Sequence, residues 1–244
     1  MEKNTSERMI EAARRLAQDV DKLRFSEPVA HIYNPLIYAW PAHELYLKKF
    51  ANSPKQIVFV GMNPGPFGMV QTGIPFGEIP AARDWLGISS PIARPSKEHP
   101  QRPILGFDCA RCEISGQRLW GLFTQRFGTA EIFFRDHFVL NYCPLAFLEE
   151  SGRNLTPDKL SKRETERLFA KCDAHFREVV EILQPQWLVG VGGFAFRRIE
   201  QVAAGSGINL AQILHPSPAS PAANREWAKL ATEQLEKCGA WRAS

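Results

Sequence analysis

The chain has 244 residues, of which 44% are hydrophobic and 23% charged, and its formal net charge is +4. This is the composition of a folded globular protein. Its apolar runs are far shorter than the ~20 residues of a transmembrane helix, and the charged N-terminus lacks the apolar core of a secretory signal. The mildly basic charge permits a polyanionic partner without requiring one.

The chain contains no Ser/Gly-rich linker, charge block or internal repeat that would divide it. We therefore predict a single domain over residues 1–244, with residues 1–25 forming an N-terminal helix that packs on or flanks it. Five cysteines, an odd number in a chain of this length, indicate reduced thiols. This favours a cytoplasmic location, associated with the nucleoid in a bacterium, or a nuclear one in a eukaryote.

Apolar periodicity and short runs of β-branched and aromatic residues predict the secondary structure. Helices are predicted over 5–24, 42–51, 118–127, 157–183, 194–204 and 221–237, and strands over 56–61, 137–142, 187–192 and 208–215. Strands that alternate with helices indicate an α/β fold, here a three-layer α/β/α arrangement around a central four-stranded parallel sheet. The stretch 71–116 has little periodicity and is predicted to be a long functional loop.

Each predicted strand is followed by chemically distinctive residues. Asn63 follows the first strand, Asn141 ends the second, the glycines of 190–193 close the third, and His215 ends the fourth. Ligands of open parallel sheets bind at the carboxyl ends of the strands, so we expect these residues to meet in one pocket.

The residue types at these strand ends restrict the chemistry. They are amides, an imidazole, glycine backbone and the aromatic rings of Phe67 and Phe76, with no serine in a GxSxG motif, no carboxylate pair and no lysine. Such a site can hydrogen-bond, stack, orient water and stabilise an anion. Each residue also has an ordinary explanation, because Asn63 precedes a proline as turn residues do, and His215 and Phe76 would fit a protein core.

Three motifs together resemble the uracil-DNA glycosylase superfamily, and more narrowly its single-strand-selective monofunctional family. They are GMNPGPFGMVQTGIPFG at 61–77, NYCPL at 141–145 and HPSPASPAANREW at 215–227. The likeness continues through LGFDCARCEISGQRLWGLF at 105–123 and covers roughly residues 26–228. The combination of Asn63, Gly65 and His215 is the pattern of the single-strand-selective family. Classical uracil enzymes have Asp and Tyr at the first two positions, and mismatch-specific relatives have Asn at the third.

The resemblance implies a role for each residue of the catalytic centre. Asn63 positions the attacking water, and His215 stabilises negative charge on uracil O2, assisted by the backbone N–H groups around Met62. The family requires no cofactor or metal. The expected reaction is hydrolysis of the N-glycosidic bond of uracil in single- and double-stranded DNA by a monomer, which leaves an abasic site.

The resemblance also implies how the base is recognised. Asn141 accepts a hydrogen bond from N3–H and donates one to O4, and Phe76 stacks on the flipped base. Gly65 leaves room at C5, so we predict that 5-hydroxymethyluracil is accepted. A wedge segment, residues 216–221, enters the duplex, with Arg225 nearby. Its residues are Pro216, Ser217, Pro218, Ala219, Ser220 and Pro221. The small side chains of Ala219 and Ser220 depart from the larger or cationic tip of many family members and weaken the prediction of deep duplex penetration.

Three alternatives remain open from the residues. A pocket of Asn, Phe and His would also suit a hydrolase of free nucleosides, or a non-catalytic module that binds unpaired bases. The CxxC of Cys109 and Cys112 raises an iron–sulfur-containing relative, although the other three cysteines lie far apart along the chain. The simpler interpretation of these thiols is that they pack as small apolar groups.

Overall fold

The computed structural model describes residues 3–242. The first two and last two residues of the predicted domain, and so the very start of the predicted N-terminal helix, lie outside the described residues. The helices are α1 (Thr5–Asp21), α2 (Pro35–Tyr38), α3 (Trp40–Phe50), α4 (Met69–Thr72), α5 (Ile114–Phe127), α6 (Ala130–Asp136), α7 (Lys162–Leu183), α8 (Gly193–Val202) and α9 (Ala223–Lys237). The strands are β1 (His31–Tyr33), β2 (Ile57–Gly61), β3 (His137–Asn141), β4 (Ala146–Leu148), β5 (Asn154–Leu155), β6 (Trp187–Val191) and β7 (Asn209–Ile213).

Four strands form the central sheet in the order β3-β2-β6-β7, and every neighbouring pair is parallel. All five residues of β2 are buried, as expected for a strand covered on both faces. The register places Gly61 opposite Asn141 at the carboxyl ends of β2 and β3. The predicted four-stranded parallel sheet is therefore confirmed, with each strand within one or two residues of its predicted limits.

Helices cover both faces of this sheet. On one face, Phe138 of β3 packs against Tyr46 of α3 with ring centroids 5.3 Å apart. On the other, Phe59 of β2 packs against Phe123 of α5 at 5.0 Å. Helix α1 packs against α3 and α7, and α5 packs against α6 and α9. This arrangement confirms the three-layer α/β/α prediction.

A small antiparallel sheet, β1-β4-β5, was not predicted from the sequence. Its strands have only two or three residues, too few for a period-two pattern to be recognised. Its strand β4 begins at Ala146, directly after the NYCPL motif. Within residues 3–242, no helix combines the length and the apolar character needed to cross a lipid bilayer.

The stretch 71–116, predicted as a loop, is more ordered than expected. It contains the helical turns Ala81–Trp85 and Gly106–Asp108 and the start of α5, and several of its apolar side chains are buried, among them Ile74, Leu86 and Ile88. Helix α7 also begins later than predicted. A 3-10 turn at Pro157–Lys159 precedes it, and a capping box of Ser161 and Glu164 starts the helix itself.

Candidate active site

A cavity of about 490 Å³ opens at the carboxyl edge of the central sheet. The strand ends that were expected to converge do so here. The cavity lining includes Met62, Asn63, Gly65, Phe76, Asn141, His215, Ser217, Ala219 and Ser220 from the predicted site. Pro216, Pro218 and Pro221 do not line it. Arg225 lies in a different and larger groove of about 990 Å³ between α5 and α9. We place the site in the smaller cavity because the amides and the imidazole are there.

Asn63, just beyond β2, is fixed by one hydrogen bond. Its Nδ2 donates to the carbonyl oxygen of Leu145 over 3.1 Å. A carbonyl oxygen only accepts hydrogen bonds, so this contact assigns the amide orientation and leaves Oδ1 free to accept a further one. The side chain is therefore oriented before a ligand enters, as the positioning of a water molecule requires.

The floor of the cavity consists of Gly61, Phe76 and Asn141. A Cβ on Gly61 would overlap Asn141 Oδ1 and would lie 2.5 Å from Phe76 Cε2. Glycine at the end of β2 therefore lets the amide and the ring approach the same point. The amide Nδ2 of Asn141 donates to the thioether sulfur of Met69 over 3.3 Å, and this sulfur is a weak acceptor. A better acceptor on a ligand could replace it.

Phe76 has an unusual backbone conformation, with φ of +53°. This left-handed region is uncommon for an aromatic residue, and neighbouring groups hold it in place. The Trp120 indole donates to the Phe76 carbonyl over 3.0 Å. A side chain on Gly116 would overlap that same carbonyl oxygen. The start of α5 thus packs directly under Phe76 and fixes the ring at the cavity.

His215, two residues beyond β7, is a neutral imidazole of defined tautomer. Burial lowers its pKa below the ordinary value. The backbone N–H of Ser217 donates to Nδ1 over 3.1 Å, so Nδ1 carries no proton and Nε2 does. Gly192, with φ of +88°, lies behind the ring, and a Cβ there would be 2.9 Å from His215 Cβ. The glycine cluster at 190–193 therefore makes room for this histidine.

Glu113 also lines the cavity, and sequence reasoning missed it. A Cβ on Gly65 would overlap its Oε2 and lie 2.9 Å from its Cδ. The strand ends were expected to carry no carboxylate pair, but Glu113, from outside the strands, brings one carboxyl into the cavity. One expectation needs correction. Gly65 was expected to leave open space, yet the carboxyl of Glu113 occupies the position that a side chain on Gly65 would take. The EIS sequence at the start of α5 carries no motif that would have revealed this contact.

The 216–221 segment is held by side chains from outside it. Arg118 of α5 donates to the Pro216 carbonyl over 2.8 Å and to Asn224 Oδ1 over 3.1 Å. Asn224 in turn donates to the Pro218 carbonyl over 2.9 Å. Ala219 is exposed at the tip. Arg118 and Asn224 were not identified from the sequence, because neither residue lies in a strand-end pattern.

Known protein families and structures identify the relatives of this chain. A family model described as the uracil DNA glycosylase superfamily matches residues 48–237. The chain belongs to this superfamily.

Individual relatives narrow the assignment within the superfamily. A protein of Mus musculus named single-strand selective monofunctional uracil DNA glycosylase is 45% identical over 97% of this chain and 86% of its own length. A Bos taurus protein of the same name is 44% identical over 97% of this chain and 88% of its own length. These matches place the chain in the single-strand-selective monofunctional family of the superfamily, as the motifs indicated.

The fold has a solved counterpart. The crystal structure of SMUG2 from Pedobacter heparinus superposes with a TM-score of 0.66 and covers 94% of this chain and 97% of its own, at 18% identity. At this identity the match bears on the fold alone. It agrees with the uracil-DNA glycosylase-like architecture expected from the sequence.

The two cysteines of the CxxC motif do not line the cavity. Cys109 is buried and Cys112 exposed. Across residues 3–242, no group of three or more His, Cys, Asp or Glu side chains with metal-binding geometry includes this pair.

Proposed function

We propose that this chain is a monofunctional DNA glycosylase that hydrolyses the N-glycosidic bond of uracil, and of 5-substituted uracils such as 5-hydroxymethyluracil, in DNA. One observation carries the proposal. Asn63, Asn141 and His215, from three separate strand ends, line a single cavity of about 490 Å³. The names of the relatives, which are 44–45% identical, support the same activity.

Asn141 is the proposed reader of the base. Its carbonyl accepts a hydrogen bond from N3–H of uracil, and its amide donates to O4 in place of the weak contact with Met69 Sδ. Cytosine presents the reverse pattern at these two positions, so a buried donor and a buried acceptor would face like groups. Each unpaired group costs about 1–3 kcal/mol. Phe76, at the same floor, stacks on the extruded ring.

His215 is the proposed stabiliser of the departing base. Breaking the glycosidic bond leaves negative charge on uracil O2 and positive character on the sugar. The Nε2–H of the neutral imidazole donates to O2, because Nδ1 is already an acceptor for the Ser217 N–H. A single preorganised donor of this kind contributes roughly 3–4 kcal/mol to lowering the barrier. Backbone N–H groups around Met62 assist.

Asn63 is the proposed positioner of water. Its Oδ1 accepts a hydrogen bond from the attacking molecule, while Nδ2 remains on the Leu145 carbonyl. An amide is a poor base, so its contribution is orientation, which suffices when bond breaking precedes attack. None of the residues lining the cavity is a lysine. Without an amine to form a Schiff base, the reaction ends at the abasic site.

The other features of the proposal concern the DNA. The 216–221 segment, with Ser217, Ala219 and Ser220 at the cavity, is the proposed wedge that fills the space of the flipped base, and Arg225 is the proposed phosphate contact beside it. We also propose that the protein acts as a monomer. Both single- and double-stranded DNA are proposed substrates.

The test uses end-labelled single-stranded oligonucleotides with one uracil, treated with the purified protein and then with hot alkali to cleave abasic sites. We expect cleavage at the uracil position and none in the identical oligonucleotide that carries cytosine. Free deoxyuridine is incubated in parallel. Release of uracil from the nucleoside but not from DNA would identify a nucleoside hydrolase. Binding of the oligonucleotide without release would identify a binding module.

A further inference from the structure

The carboxyl of Glu113 is a half-buried polar group of the cavity that the proposed reaction does not use. Two glycines of the 61–77 segment make room for it. Side chains on Gly65 and Gly68 would collide with it, the first at the carboxyl and the second at Cγ, 2.8 Å away. The loop therefore approaches this glutamate more closely than any other residue type would allow.

The carboxyl is held in place by three donors. The N–H groups of Phe67 and Ser115 and the Ser115 hydroxyl donate to it, and burial, the largest influence, raises its pKa. A carboxylate has about four acceptor positions on its two oxygens. Three donors therefore leave one acceptor position at a carboxyl that lines the cavity.

The position of Glu113 relates it to a particular part of the base. The 113–116 segment passes from Gly65 to the underside of Phe76, where Gly116 contacts the Phe76 carbonyl. With the base stacked on Phe76 and its O4 on Asn141, the ring carbon next to C4 is C5. The cavity wall beside C5 is then Gly65 with the Glu113 carboxyl against it, since both line the cavity together with Phe76 and Asn141.

We propose that Glu113 determines which substituents are accepted at C5 of the base, and this inference rests on the proposed function. Its carboxylate accepts a hydrogen bond from a donor-bearing substituent such as the hydroxyl of 5-hydroxymethyluracil. The 5-methyl group of thymine offers no donor. The methyl group would displace water from the Glu113 carboxylate without donating a hydrogen bond in its place, which is unfavourable. Glu113 thus distinguishes 5-hydroxymethyluracil from thymine, which differs from it by one hydroxyl group. Thymine is a normal base that a glycosylase acting on DNA must leave intact.

The experiment compares Glu113→Gln with the unaltered chain in single-turnover assays at pH 8. Matched oligonucleotides carry uracil, 5-hydroxymethyluracil, 5-formyluracil or thymine. The glutamine keeps the shape of the side chain but can present an amide donor to the cavity, which suits the formyl oxygen rather than the hydroxyl hydrogen. We expect the ratio of hydroxymethyl to formyl rates to fall by about tenfold or more relative to the unaltered chain.

A second variant and a control complete the test. Glu113→Asp keeps the charge but withdraws the carboxyl by one methylene, and we expect it to lower the 5-hydroxymethyluracil rate relative to uracil. Glu200→Gln makes the same chemical change on the exposed face of α8, and we expect no change in any ratio. Thermal melting confirms that each variant is folded.

Two results would overturn the inference while leaving the proposed function intact. One is an equal loss of rate on uracil, 5-hydroxymethyluracil and 5-formyluracil in both Glu113 variants, which would mean that the carboxyl only supports the loop. The other is an unchanged ratio of hydroxymethyl to formyl rates. Failure of the unaltered protein to release uracil would instead overturn the proposed function itself.

Discussion

The floor of the cavity and the 216–221 segment at its rim are held in different ways. The floor is defined by the absence of space, because side chains on Gly61 and Gly116 would collide with Asn141, Phe76 or the Phe76 carbonyl. The 216–221 segment is defined by hydrogen bonds that reach it from Arg118 and Asn224.

This difference separates two tasks. Discrimination between bases requires side chains that are held in fixed positions, and close packing against the backbone provides this rigidity. A segment that enters DNA must be displaced and return, and a few polar contacts at an exposed surface permit this. Substitutions in the floor should therefore reduce the chemical step on every substrate. Substitutions that loosen the rim should act mainly on duplex DNA, where the base must first be extruded.

The largest expected effect comes from Asn63→Ala, next to the floor. Removal of the amide leaves the attacking water without its proposed acceptor, so we expect the single-turnover rate on uracil to fall by roughly 1000-fold with oligonucleotide affinity nearly unchanged. Rapid-quench assays and fluorescence anisotropy measure the two quantities. Asn52→Ala, at an exposed asparagine before β2, is the control. A loss of affinity as large as the loss of rate would contradict a positioning role.

His215→Leu comes next. We expect a fall of ~100–1000-fold in the single-turnover rate, because O2 of the leaving base loses its proposed side-chain donor. The same loss should appear on single-stranded and duplex uracil, since it concerns the chemical step. A loss confined to duplex DNA would instead assign His215 to the rim segment through its bond with Ser217.

Acid should weaken the support of the floor. His43 is bonded to the Gly73 carbonyl of the 61–77 segment over 2.8 Å, and burial lowers its pKa to about 4. A pKa below the unfolded value of about 6.5 means that its contribution to stability is complete above pH 6.5 and declines as the pH falls towards 4. Burial also lowers the pKa values of His137 and His175 to about 4.

We therefore expect the free energy of unfolding to decrease by at least roughly 2 kcal/mol between pH 7 and pH 5. Urea unfolding followed by tryptophan fluorescence at half-unit pH steps measures it. An unfolding free energy that is constant over this interval would show that these histidines are not buried as neutral groups.

Gly61→Ala tests the packing of the floor itself. Its Cβ would press on Asn141 and Phe76, so we expect the uracil rate to fall by roughly 10–100-fold, in line with the cost of overpacking. Gly121→Ala is a matched control, because nothing lies within 4 Å of a Cβ at Gly121. If the two variants had equal activity, the floor would be less closely packed than described.

The smallest expected effect is that of Arg118→Ala. It frees the Pro216 carbonyl and Asn224, and we expect a loss of roughly fivefold on duplex uracil and less than about twofold on single strands. Gln117→Ala, at an exposed neighbour on α5, controls for the change of helix surface. Equal losses on both forms of DNA would remove the distinction between rim and floor.

The sequence was sufficient for the central sheet and for the meeting of the strand ends. Buried parallel strands are short apolar runs that can be recognised individually, and parallel geometry alone brings Asn63, Asn141 and His215 to one edge. The small antiparallel sheet could not be predicted, because two or three residues carry no periodic signal.

The second layer of the site could not be predicted either. Glu113 immediately precedes α5 and Arg118 lies within it, and the apolar pattern of this helix indicates only its buried face. Glu113 contacts Gly65, 48 residues away, and Arg118 contacts Pro216, 98 residues away. The reason for glycine at 61 and 65 is likewise a contact across the fold. The residues next to a glycine in the sequence do not indicate which distant side chain packs against it.

The most direct test is a crystal structure of the Asn63→Ala variant bound to a uracil-containing oligonucleotide. We expect the uracil in the cavity on Phe76, with N3 and O4 on the Asn141 amide and O2 within hydrogen-bonding distance of His215 Nε2. A uracil that remains stacked in the DNA, or that occupies the groove between α5 and α9, would contradict the shared role of these three residues.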